Sequence, residues 1–250
     1  MMEPDLCFEG HLATIRLRRQ KEANKLTPGD LAVLIEHVET VNNREDIKVL
    51  VLRGEGKYFC SGYDISEVGG SRVKGANFAE MVDALERCRA VTIAVVHGGV
   101  FGGATDMALA CDFRVGSTAA EMFMPAARLG LHFYQGGMER YVSRLGLDTA
   151  KRLFLTCERL TAQEMHACGF LTHLAQPQAL SATVDGLVRT LTAMAPLPLF
   201  GMKKHLNLIA RGLHDAQAIA DDVQRTIASE DLREGGAAWR EKRPPVFKGR

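Results

Sequence analysis

His97-Gly98-Gly99-Val100-Phe101-Gly102-Gly103-Ala104-Thr105-Asp106-Met107-Ala108-Leu109-Ala110-Cys111-Asp112 decides how the rest of the chain is read. It follows a β-type apolar run, Val91-Thr92-Ile93-Ala94-Val95-Val96, and leads into small and apolar residues suited to a helix. Strand, glycine-rich turn and helix start form an arrangement with chemical meaning. Glycine lets backbone approach a ligand closely, and a helix's first turn presents unpaired N–H groups at a positive dipole end. Such a turn holds negative charge, either resident on a phosphate or developing on an oxygen in a transition state.

Outward from this turn, strands alternate with helices. Residues 11–17 predict a strand, and Arg18–Asn24 a polar loop. Thr27-Pro28-Gly29-Asp30 supplies an N-cap, a proline and an acidic third position before an apolar-periodic helix from Leu31 to about Val41. Ile47–Leu52 is nearly continuous in apolar residues, as expected of a strand buried on both faces. Gly54–Lys57 turns the chain into Tyr58–Asp64, and the polar stretch Gly69–Arg72 reads as a mobile loop. A helix around Asn77–Arg89 and a strand over Cys111–Gly116 complete a βαβ-like pattern with a mainly parallel core.

Beyond residue 125 the pattern turns helical. Thr161–Glu164 is a capping box, Phe170–Leu174 suits a last strand, and residues 178–242 read as helices interrupted by Pro196 and Pro198. Residues 1–195 are therefore expected to form the core, and 196–250 a C-terminal helical module within one functional unit.

Composition narrows the class. With 31 basic against 30 acidic residues, the chain has no bulk pull toward nucleic acid or an anionic membrane. No apolar run approaches a membrane span of roughly 18 residues. The start, Met1–Asp5, lacks the features of a signal peptide, so the expected location is cytoplasmic. The six cysteines include no CxxC pair and read as structural thiols, and neither they nor the eight histidines have metal-like spacing. His97-Gly98-Gly99 has no accompanying G-x-S-x-G nucleophile, and Gly54-Glu55-Gly56-Lys57 matches neither the dinucleotide nor the Walker pattern. His166, His173, His205 and His214 form no ligand set.

Phe59-Cys60-Ser61-Gly62-Tyr63-Asp64-Ile65 has the form F-x-x-G-x-D-[IL], and Gly102-Gly103-Ala104 follows about forty residues later. The pair resembles the enoyl-CoA hydratase/isomerase (crotonase) superfamily. So do the loop Arg19–Leu26, the segment Met122–Gly130, the turn Leu160–Glu164 with Gly169–Leu171, and the tail Trp239–Phe247. The resemblance implies an α/β crotonase-like fold, with repeated ββα units and a C-terminal helical trimerisation module. It also implies an acyl-CoA thioester substrate and an enolate oxygen held by the backbone N–H groups of Tyr63 and Gly103. A preorganised donor of this kind is typically worth ~3–4 kcal/mol of barrier.

The two glutamates of the family's hydratases fall at Asp106 and at Ala126, so the second carboxylate is missing. His132 and Tyr134 lie in the next loop, where related isomerases and dehalogenases carry an extra carboxylate; one of them is expected to stand in. Asp106 reads either as a single acid/base or as a capping aspartate. CoA contacts are implied for Lys21, Glu22, Ala23, Ser61, Tyr63, Asp64 and Ile65, with Phe247 and Lys248 from the tail. Beyond the CoA of the substrate itself, no cofactor and no metal is implied. The expected assembly is a homotrimer or hexamer. Double-bond isomerisation or decarboxylation fits these residues better than two-carboxylate hydration, and a CoA-thioester-binding protein without catalysis is the rival.

Overall fold

The computed structural model describes residues 2–64 and 77–250. The expected loop at Gly69–Arg72 and the site residue Ile65 lie outside them. A six-stranded sheet forms the centre, in the order β1-β2-β3-β4-β6-β9. Its strands are β1 (Asp5–Glu9), β2 (Leu12–Leu17), β3 (Val49–Gly54), β4 (Val91–Val96), β6 (Phe113–Ser117) and β9 (His173–Ala175). Only β1 and β2 pair antiparallel; the other neighbours run parallel.

The apolar runs behave as their patterning demands. Leu50, Leu52, Ala94 and Val96 point into the main core with helices α1 (Pro28–Asn42), α2 (Phe78–Glu86) and α3 (Gly103–Ala110). Val49, Val51, Val91, Ile93 and Val95 face the other way, onto α7 (Leu180–Thr192) through Leu180, Val184 and Leu191. Both faces are covered, which is why β3 and β4 read as continuous hydrophobic runs. Each such Leu, Val or Ile adds ~1.5–3 kcal/mol of burial.

Capping places the helices. The Asp30 carboxylate accepts from the Thr27 amide at 2.8 Å and is gripped by Arg19. Asn77 with Glu80 and Thr161 with Glu164 form further capping boxes, starting α2 and α6 (Ala162–Ala167).

A second, three-stranded sheet escaped the sequence reading: β5 (Val100–Phe101), β7 (Glu121–Phe123) and β8 (Arg159–Thr161), in the order β5-β7-β8. Strands of two or three residues carry no periodicity to detect. The last strand of the large sheet falls at His173–Ala175 rather than starting at Phe170. After α4 (Gln135–Leu145) and α5 (Leu147–Thr156), the chain ends in α8 (Pro196–Ala210), α9 (Ala216–Ile227) and α10 (Glu230–Glu241). α7 ends at Thr192 and α8 begins at Pro196, so the helical run is interrupted, as expected, at Pro196 and Pro198. Both prolines occupy the first turn of α8, where an amide proton has no intrahelical partner to lose. Met202, Leu206 and Ile209 on α8, Val223 and Ile227 on α9, and Leu232 and Trp239 on α10 are exposed apolar side chains. Among the described residues, no helix is long and apolar enough to cross a membrane.

Candidate active site

The glycine turn is fixed from two sides by backbone hydrogen bonds. Phe101 N donates to Cys60 O at 3.0 Å, and Gly102 N donates to Phe123 O at 2.8 Å. Val100 and Phe101 pair with Met122 and Phe123, and Cys60 bridges Val100. The turn thereby sits beside Ser61–Asp64. Gly62, at φ 99°, is the point of contact: a Cβ there would lie 2.8 Å from Phe101 O and 3.1 Å from Gly103 N. Only glycine fits that conformation and that gap. Gly103 is the first residue of α3, where the amide N–H has no acceptor within the helix. A Cβ on Gly103 would meet the Phe78 ring at 2.6 Å.

The N-terminal loop is stitched to the same place. Ser61 N donates to Ala23 O at 2.9 Å, Leu26 N to Gly62 O at 2.8 Å, and Asp64 N to Leu26 O at 3.0 Å. Lys25 Nζ lies 2.6 Å from Asp64 Oδ2. Lys21 and Glu22 are exposed on a short 3-10 helix, Gln20–Glu22, that ends at Ala23. Of the expected CoA residues, Lys21, Glu22, Ala23, Ser61 and Asp64 therefore share one edge with Tyr63. Phe247 and Lys248 do not join them within this chain. The Phe247 ring packs at Gly235, and the Lys248 amide donates to Asp231 Oδ1 at 2.7 Å, which folds the tail onto α10.

A relay of aromatic rings runs from Tyr63 toward α4. Tyr63 and Phe78 have centroids 5.8 Å apart, Phe78 and Tyr134 6.1 Å, and Phe133 and Tyr134 4.6 Å. Tyr134 caps α4, and its hydroxyl donates to Asp106 Oδ2. Asp106 is fully buried, and both its oxygens are occupied. Arg140 forks onto it, with Nε 2.9 Å from Oδ1 and Nη2 2.9 Å from Oδ2. The remaining nitrogen of Arg140, Nη1, reaches Asp83 at 2.8 Å and Glu86 at 3.1 Å.

This geometry sets the proton inventory. The bidentate arginine fork and the Tyr134 hydroxyl engage both Asp106 oxygens, so neither is turned toward a substrate proton. Burial, then the facing Asp106 carboxylate, push the Tyr134 phenol far above its ordinary range, so it keeps its proton. Burial acts against the Arg140 charge, but the bonds to Asp106 outweigh it and raise its pKa. Ala126 is buried and brings no ionisable group, while its carbonyl accepts from Leu129 and Leu131. His132 is exposed, with Nδ1 2.8 Å from Phe133 O. The structure thus brings Tyr134, and not His132, to Asp106.

A sequence profile of the enoyl-CoA hydratase/isomerase family matches residues 8–250. The chain belongs to the enoyl-CoA hydratase/isomerase family. It is 30% identical to an enoyl-CoA isomerase/hydratase of Mycosarcoma maydis, fer4, over 81% of this chain and 77% of that one. It is 27% identical to a short-chain-enoyl-CoA hydratase of Clostridium acetobutylicum, over 94% and 93% of the two chains. A crystal structure from Magnetospirillum magneticum, described as an enoyl-CoA hydratase/carnithine racemase, superposes with a TM-score of 0.92 at 27% identity. That superposition covers 100% of this chain and 97% of the other. The fold is accordingly that of crotonase-type enoyl-CoA hydratases.

Within this family member, Arg140 is the site residue that sequence reading passed over. One signal for it existed: α2 buries Met81, Val82 and Leu85, and Asp83 and Glu86 stand three apart among them. Two carboxylates there call for a cation from elsewhere in the chain.

Proposed function

We propose that this enoyl-CoA hydratase/isomerase family enzyme forms an acyl-CoA enolate whose oxygen is held by the amides of Tyr63 and Gly103, and that Tyr134 delivers the proton to its carbon. Lys21, Glu22, Ala23, Ser61 and Asp64 line the CoA edge. The observation that carries the reading is the occupation of both Asp106 oxygens by Arg140 and Tyr134.

A phenol held protonated is useless as a base near neutral pH. It is a competent acid toward an enolate carbon, which is far more basic than a phenolate. General acid catalysis of this kind contributes on the order of 10²–10⁴-fold. The site therefore suits an enolate formed without a carboxylate base, as in loss of carbon dioxide from a malonyl-type CoA thioester. In that step the C–C bond electrons pass into the thioester carbonyl, the oxygen is stabilised at the turn, and Tyr134 protonates the α-carbon.

The uncovered apolar side chains of α8, α9 and α10 support assembly into a homotrimer or hexamer.

The test is a panel in deuterated water, with a malonyl-type CoA, a 3-enoyl-CoA and crotonyl-CoA, read by mass spectrometry. The expected result is decarboxylation with one deuterium at the α-carbon, lost in Tyr134→Phe. Hydration of crotonyl-CoA with the malonyl-type ester untouched would overturn the decarboxylation reading. Tight thioester binding with no turnover would leave a binding protein. Ala126→Glu is the companion: gained hydration would show that the scaffold lacks only this carboxylate.

A further inference from the structure

We infer that Arg211, just past the end of α8, is a positioning residue for the Tyr134–Asp106 pair, acting through Glu86 and Arg140. The inference rests on Tyr134 being the proton donor proposed above. Arg140 serves three carboxylates at once, and two of them, Asp83 and Glu86, sit on α2 and pull on Nη1 away from Asp106. How firmly the fork holds Asp106 depends on how strongly Glu86 competes for it.

Arg211 answers that competition. Its Nη2 donates to Glu86 Oε2, the same oxygen that accepts from Arg140. Its Nη1 donates to Glu139 on α4 at 2.8 Å. Asn207, one turn earlier on α8, donates to the Glu86 carbonyl at 3.3 Å. Arg144 reaches the other Glu86 oxygen only at 3.7 Å.

With Arg211 in place, the charge of the nearly buried Glu86 is shared mainly between the guanidinium groups of Arg140 and Arg211, with Arg144 farther off. Without it, Glu86 turns to Arg140, the fork on Asp106 loosens, and the acceptor that aims the Tyr134 hydroxyl moves. The C-terminal helical module thus reaches the proton-delivery group by a chain of charge-assisted bonds, which act over short range and in low dielectric.

The experiment compares wild type, Arg211→Met, and Arg211→Met combined with Glu86→Gln, each confirmed folded by thermal unfolding. In the single variant, kcat on the thioester that wild type turns over should fall about tenfold with KM unchanged, the size of coupling expected within one charged network. Removing the Glu86 charge as well should restore kcat to within about threefold of wild type. A second readout needs no turnover. Solvent exchange of the Arg140 Nε–H, assigned by its loss in Arg140→Lys, should quicken at least about tenfold in Arg211→Met and slow again in the double variant. Unchanged exchange in Arg211→Met, or no recovery in the double variant, would overturn the inference. If wild type converts no thioester, the functional proposal fails alone, and the exchange measurement still decides the role of Arg211.

Discussion

Arg140 and Asp106 form the most buried ion pair of the site, at 1% and 0% side-chain exposure, and their removal should have unequal effects. Arg140→Met leaves Asp106 without its fork and strips Glu86, with 9% of its side chain exposed, of one cation. Stranding a buried carboxylate costs about 3–5 kcal/mol, and with two affected the upper part of that range, about 4–5 kcal/mol, applies. Asp106→Asn removes an anion but keeps the shape and one acceptor oxygen, while Arg140 keeps Asp83 and Glu86. The loss there is the charge-assisted part of the fork, about 2–3 kcal/mol. Urea unfolding at fixed protein concentration measures both. For a chain of this size each kcal/mol shifts Tm by about 2–4 °C, so Arg140→Met should lower Tm by roughly 8–20 °C. An Asp106→Asn variant as destabilised as Arg140→Met, or more so, would refute this account of the network.

Tyr134→Phe should lower turnover at least about tenfold, whereas His132→Ala, on an exposed ring, should leave it nearly unchanged; equal losses would remove the distinction. The raised Tyr134 pKa places its proton-dependent contribution fully below the ordinary value of 10.0, and loss begins only above it. A pH–rate profile should therefore show no tyrosine limb up to pH 10, and a fall beginning near neutrality would contradict the assignment. Gly103→Ala drives a methyl into the Phe78 ring and should cost about 1–3 kcal/mol with a loss of activity, partly recovered by Phe78→Ala in the same chain. No recovery in that double variant would mean that the ring is not what crowds the turn. In the tail, Arg243 and then the Val246 amide hold the Glu234 carboxyl down at about 2 from 4.5. Its folded pKa is the lower one, so its contribution is complete above 4.5 and lost as pH falls toward 2. Fluorescence of Trp239, the single tryptophan, should report tail release across that window in wild type but not in Glu234→Gln, and identical traces would dismiss the anchor.

Much of the fold was legible because burial on two faces writes itself into sequence. Val49–Leu52 and Val91–Val96 are apolar on both faces because α7 covers one side of the sheet and α1 to α3 the other. Thr27–Asp30 and Thr161–Glu164 announced helix starts because the capping groups are local. The small sheet was illegible, since β5, β7 and β8 are held by pairings between residues far apart in sequence. The site divided along the same line. Gly62 and Gly102–Gly103 were readable because a close backbone approach admits no side chain. Arg140 was not, since its carboxylate partners lie 34 to 57 residues away and nothing near it in sequence marks an arginine as buried.

The backbone bonds that hold the glycine turn run from Phe101 N to Cys60 O and from Gly102 N to Phe123 O, and neither end is a side chain. Substitution at 106, 126 or 134 therefore leaves those bonds intact. Under the proposed function, the scaffold separates what stabilises negative charge on oxygen from what moves protons at carbon, and the second is open to change one residue at a time. On that proposal, Ala126 changes the acid–base equipment and leaves the backbone cradle as it was.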